Sequence, residues 1–109
     1  MTDEPEEDVG LTDVLHSAAE DLAGIQSRTF DGVITWSIGD LAFATLAGDR
    51  AEFRLDPLVA RAALRTPDTA ASPRGPDWVA FAPSVLDEGA VDRAEAWFLS
   101  AHRRATRSP

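Results

Sequence analysis

The chain has 109 residues, 44% hydrophobic and 27% charged, with a formal net charge of −9 and no cysteine. That suits one globular domain and excludes a disulfide framework, a thiolate nucleophile and any cysteine-held metal. All ten basic residues are arginine, and the negative balance is a poor start for holding a polyanion.

Residues 1–9 carry five acids, Asp3, Glu4, Glu6, Glu7 and Asp8, and are interrupted by Pro5. They are predicted to be a disordered acidic tail. Setting those five charges aside takes −9 to −4, so the body stays acidic. An acidic start lacks the positive end of a secretory signal, and no apolar run approaches a membrane span. The expectation is a cytoplasmic protein with no membrane partner.

From Leu11 the spacing predicts a helix, with Leu11, Val14, Leu15, Ala18, Ala19, Leu22 and Ile25 along one face. Thr12 is the expected N-cap and Asp13 suits the first turn. Asp13, His16 and Glu20 share the opposite face at metal-ligand spacing. Polar residues on a wet helical face are the ordinary reading, so no metal is assigned.

Arg28 to Phe30 leads into a strand whose face is set by Phe30, Ile34, Trp36 and Ile38. Gly39-Asp40 fits a two-residue turn that pairs Ile38 with Leu41, Trp36 with Phe43 and Ile34 with Thr45. For the next turn, a two-residue loop at Gly48-Asp49 would put Phe53 on the face opposite Phe43. A three-residue loop, Ala47 to Asp49, pairs Phe43 with Phe53 and Leu41 with Leu55. A one-residue slip exchanges the faces, so the longer loop, which buries both phenylalanines, is predicted. Arg50, Glu52 and Arg54 then point to the other face.

Asp56-Pro57 is a strong helix start, N-cap followed by proline at the first position. This helix is expected to run to about Arg65, closed by Thr66-Pro67, with Leu58, Ala62 and Leu64 or Val59 inward. Residues 67–77 are a proline- and glycine-rich connection, excluded as continuous helix or central strand. Trp78 to Phe81 is a further strand, stopped by Pro83. Ser84 or Asp87 caps the last helix, which ends near Thr106 and buries Ala90, Val91, Ala94, Trp97, Phe98, Ala101 and Ala105. Leu99 falls off that stripe, so Trp97-Phe98-Leu99 covers more than one face. Trp97 and Leu99 are therefore the candidate protein interface, for an unknown partner or for self-association.

The fold expected is α+β in the order α-β-β-β-α-β-α. Its antiparallel sheet is a three-strand meander plus at least one further strand, with helices on one face, in a single domain over residues 10–106.

Gly39 followed by Phe43-Ala44-Thr45-Leu46, then Arg54-Leu55-Asp56-Pro57, Trp78-Val79 and Ala101-His102-Arg103-Arg104-Ala105, occur in an order that resembles the MmcQ/YjbR-like family. The resemblance covers about residues 31–106. It implies a fold similar to that of CyaY/frataxin, and a DNA-binding label that family members often carry. Leu41 stands where the family usually has a lysine, while Arg54 keeps the cation before Asp-Pro. A frataxin-like fold also raises weakly held iron, for which Asp13, Glu20 and Asp21 are only partly aligned.

With two histidines, no cysteine and no P-loop, GxGxxG or GxSxG motif, no convergent acid, base or nucleophile is visible. No enzymatic activity and no cofactor are assigned. The anion- or DNA-binding candidates are Arg50 and Arg54 on the outer sheet face, Arg61 and Arg65 at i, i+4 on the second helix, and Arg74. A solvated face with local ion pairs to Glu52, Asp49 or Asp68 is the favoured reading of the same residues. The function expected is that of a small non-enzymatic binding or interaction domain. DNA binding through the arginines is the alternative.

Overall fold

The computed structural model describes residues 10–107; the tail expected over residues 1–9 lies outside them. Helix α1 (Leu11–Glu20) leads into strands β1 (Ile25–Phe30), β2 (Val33–Ile38), β3 (Leu41–Ala47) and β4 (Arg50–Arg54). Helix α2 (Pro57–Ala63), strands β5 (Thr69–Ala71) and β6 (Trp78–Phe81) and helix α3 (Glu88–Arg107) complete the chain. The six strands form one antiparallel sheet in the order β1-β2-β3-β4-β6-β5. The α+β class and the meander are as the sequence predicts, with two strands more than expected.

One of those, β1, arises from Asp31-Gly32. Both residues have positive φ, 53° and 80°, which is the backbone of a type I′ hairpin turn, and Asp-Gly favours it. Phe30 therefore pairs with Val33 instead of continuing into the next strand. It is 78% exposed rather than buried. Ile25 belongs to β1, because α1 stops at Glu20 and Gly24, at φ 78°, turns the chain. Gly10, not Thr12, precedes the first turn, and its N–H donates to Asp13 Oδ2 at 3.4 Å.

The second surprise is at β3. The β3–β4 turn is the two-residue Gly48-Asp49, with Ala47 opposite Arg50 and Ala44 opposite Phe53. That corrects the expected three-residue loop, and Leu41 does not pair with Leu55. Phe43 still reaches the same face as Phe53, through a β-bulge. Trp36 opposes Ala44 while Ser37 opposes Ala42, leaving Phe43 as the extra residue. A bulge brings two successive side chains to one side, so Phe43 and Phe53 are both fully buried. The extra residue sits in the strand, not in the loop.

Helix α3 crosses the middle of the sheet and α1 lies beside it. Phe98 meets Trp36 and Phe43 edge-on at 5.4 and 5.3 Å, and Trp97 meets Phe81 at 5.0 Å. Such aromatic pairs add to the burial energy of the rings themselves. Asp87 caps α3, its Oδ1 accepting the Ala90 N–H at 2.9 Å.

Helix α2 sits at the β5 edge on the same side. Thr69, directly across from the buried Phe81, donates its hydroxyl to Ala63 O at 3.1 Å and Thr66 O at 2.9 Å. The inward residues expected of α2 are corrected. Leu58 is 74% exposed and Ala62 and Leu64 are exposed, while Ala60 and Ala63 are buried and Val59 packs at the core margin. A seven-residue helix over a shallow rim needs small residues against the sheet, which the larger leucines do not supply.

Candidate functional site on the open face of the sheet

With α1 and α3 on one face, the other face of the sheet carries no helix among the described residues. Strand alternation places one row across all six strands there: Arg28, Thr35, Thr45, Glu52, Ala80 and Ala70, each directly opposite the next. The face has two chemically different halves.

On the β4–β6–β5 half the polar groups satisfy one another. Glu52 is only 8% exposed because the β5–β6 connection folds over it. Ser72 Oγ donates to Glu52 Oε2 at 2.5 Å, and Thr45 Oγ1 and Arg74 Nε donate to Oε1 at 3.1 and 2.7 Å. Arg50 Nη2 reaches Oε2 at 3.5 Å. Ala80, on the strand between, has only a methyl group there, so the carboxylate can meet Ser72 across β6. Burial by itself pushes the Glu52 carboxyl up. The hydrogen bonds from Ser72, Arg74 and Thr45 and the charge of Arg74 together outweigh it and hold the group below its ordinary value. Arg74 also donates its backbone N–H to Ser72 Oγ at 3.1 Å, and its guanidinium lies 5.6 Å from the Trp78 ring centroid.

On the β1–β2 half the polar groups are uncommitted. Gln26, Ser27, Arg28, Thr35, Ser37, Gly39 and Asp40 line a hollow of 560 Å³, and none of their side chains hydrogen-bonds to another described residue. Nothing in the sequence analysis marked this hollow. Its signal was available in the alternation of Gln26 and Arg28 with Thr35 and Ser37, once Asp31-Gly32 is read as a turn.

The five candidate arginines do not form one surface. Arg50, Arg54 and Arg74 are on the open face, Arg54 directly across from Trp78. Two of these three are paired to Glu52. Arg61 and Arg65 are exposed on or just beyond α2, which packs on the helical side of the sheet. Of the candidate interface pair, Trp97 is turned into the core, 8% exposed against Phe53 and Phe81. Leu99 remains at the surface at 38%, as the stripe predicts, in a shallow hollow with Ser17, Ala18, Asp21 and Glu95.

Among the described residues, no three metal-ligating side chains come together. His16 stands edge-on to Trp36 at 5.4 Å, and His102 packs against Phe43 at 5.7 Å with Nε2 3.3 Å from Ala23 O. A further cluster was missed altogether. The Arg104 guanidinium holds Asp77 Oδ2 at 2.9 Å, Asp56 Oδ1 at 3.7 Å and Leu55 O, and Arg107 holds Asp56 Oδ2 at 2.6 Å. It ties the end of α3 to the start of α2 and to the β5–β6 connection, so it is a clamp on the fold.

The chain is thus an α+β domain with one covered and one open sheet face. No protein-family model matches it, and no curated protein or solved structure matches it either.

Proposed function

We propose that this is a non-enzymatic binding domain of the MmcQ/YjbR-like kind, cytoplasmic, which takes its ligand on the open face of the sheet. The observation that carries the reading is the contrast between the two halves of that face. Polar groups around Glu52 are consumed by one another, whereas the side chains around the β1–β2 hollow hydrogen-bond to no described residue and line one cavity. Gln26, Arg28, Thr35 and Ser37 offer donors and Asp40 an acceptor. That set suits a small ligand with an anionic group and a hydroxyl or amine beside it. Glu52 supports the non-enzymatic part of the reading. A carboxylate held ionised by several donors is a poor carrier of protons at neutral pH.

A second reading, DNA binding as the family label implies, has Arg54 and Arg74 flanking Trp78 in its favour. Against it stand the neutralisation of Arg50 and Arg74 by Glu52, the placement of Arg61 and Arg65 on the other side, and the net charge of −9. The deciding experiment is an amide chemical-shift titration with inorganic phosphate and, separately, a sugar phosphate. Saturable shifts confined to residues 26–40 and lost in Arg28→Ala are expected. Shifts absent from that segment, or unchanged in Arg28→Ala, would sink the reading.

A further inference from the structure

The two edges of the sheet differ in kind. β5 has three residues, with Pro67 before it and Pro73 after it. β1 has six residues, no proline, an unbroken register with β2, Arg28 as its one charge, and Phe30 exposed at its end. Natural sheets guard an edge by shortness, proline, bulges or charge. β5 is guarded and, among the described residues, β1 is nearly bare.

Geometry then fixes what β1 offers. A two-residue turn at Asp31-Gly32 makes Phe30 and Val33 a hydrogen-bonded pair. By alternation, the backbone groups of Phe30, Arg28 and Gln26 point to β2, and those of Ile25, Ser27 and Thr29 point away from the sheet. We propose that a second copy of this chain pairs with them, β1 against β1 antiparallel, about a two-fold axis normal to the sheet. The axis keeps each sheet face continuous across the pair and allows two central registers. One places Ser27 opposite Ser27 of the second copy, matching Ile25 with Thr29 and Gln26 with Arg28. The other places Arg28 opposite Arg28, a like-charge contact. The Ser27 register satisfies all the free backbone groups and sets a side-chain amide beside each guanidinium, so it is the one adopted.

A contact made along one strand is small, so the pair is a reversible one. Both copies carry −9, and screening that repulsion makes association stronger as salt rises.

The absence of cysteine makes the test clean. In a hydrogen-bonded antiparallel pair, opposed Cα atoms lie about 5.5 Å apart, within disulfide reach. Ser27→Cys is expected to oxidise to a covalent dimer, while Thr29→Cys, which faces Ile25, stays monomeric. Ser27→Pro removes an N–H that bonds to no described residue of the monomer. It should melt as the wild type does yet sediment as a monomer at every concentration where the wild type gains mass. Wild type that sediments as a monomer up to millimolar concentration at high salt, with Ser27→Cys crosslinking no faster than Thr29→Cys, would overturn the proposal. Crosslinking of Arg28→Cys in preference to Ser27→Cys would overturn the register, and with it the pairing argued here.

Discussion

Ser72 donates its hydroxyl to Glu52 at 2.5 Å across an intervening strand. This bond closes the β5–β6 connection over the open face. Removing the carboxylate leaves the hydroxyls of Thr45 and Ser72 and the Arg74 guanidinium short of an acceptor. Glu52→Ala is therefore expected to cost about 1–3 kcal/mol in chemical denaturation, with faster amide exchange in residues 72–77. Unchanged exchange there would show that the connection stands without its anchor.

The same carboxylate predicts a pH dependence. Its folded pKa lies below the ordinary 4.5, so the unfolded chain binds the proton more readily. The stabilisation is complete above the unfolded value and is lost as pH falls through the folded one. Melting temperature measured from pH 7 down to pH 3 should fall more steeply for the wild type than for Glu52→Gln. Parallel curves would refute this.

Phe43 is fully buried against Phe98 at 5.3 Å and His102 at 5.7 Å. Phe43→Ala should cost about 3–5 kcal/mol through the cavity it leaves. A shift in denaturation midpoint equivalent to less than about 1 kcal/mol would mean that the bulge had reset and filled the space.

Arg104 and Arg107 share Asp56, yet their side chains are 16% and 58% exposed. Arg104→Ala strands Asp77 and the Leu55 carbonyl and is expected to cost about 2–4 kcal/mol. Arg107→Ala should change stability by less than about 1 kcal/mol. Equal effects of the two substitutions in urea denaturation would contradict the clamp.

Duplex DNA at physiological salt is expected to bind more weakly than about 10⁻⁴ M, the weak end of non-specific affinity. A fluorescence-anisotropy titration over a salt series measures it, with Arg54→Ala and Arg74→Ala as controls. Micromolar binding that weakens with salt and disappears in both variants would restore the DNA reading.

Most of the inward face was legible because burial writes itself into spacing. The α3 stripe and Trp36, Phe43 and Phe53 lie inward as the pattern requires. The register failed at Phe43 because pattern fixes which face a side chain takes, whereas an added residue in a turn or in a strand produces the same parity. β1 was missed because its side chains are nearly all exposed, so it carries no apolar alternation; only Asp31-Gly32 announces it. Glu52 was read as a solvated partner of nearby arginines. Its burial comes from Ser72 and Arg74, twenty and more residues away, and no local pattern encodes a connection that doubles back. The Arg104 cluster was hidden for the same reason, since a basic residue in the last turns of a helix already has a local explanation in the helix dipole.

Pro67 and Pro73 have an effect beyond shaping β5. A filament grows when one margin of a subunit finds a different margin on the next, and keeps finding it. Here the short β5, held between those prolines, offers no receptive margin to the β1 of another molecule. Addition at β1 uses up the bare strand on both participants at once. Assembly by this route is self-terminating: raising the concentration fills pairs but cannot seed fibres.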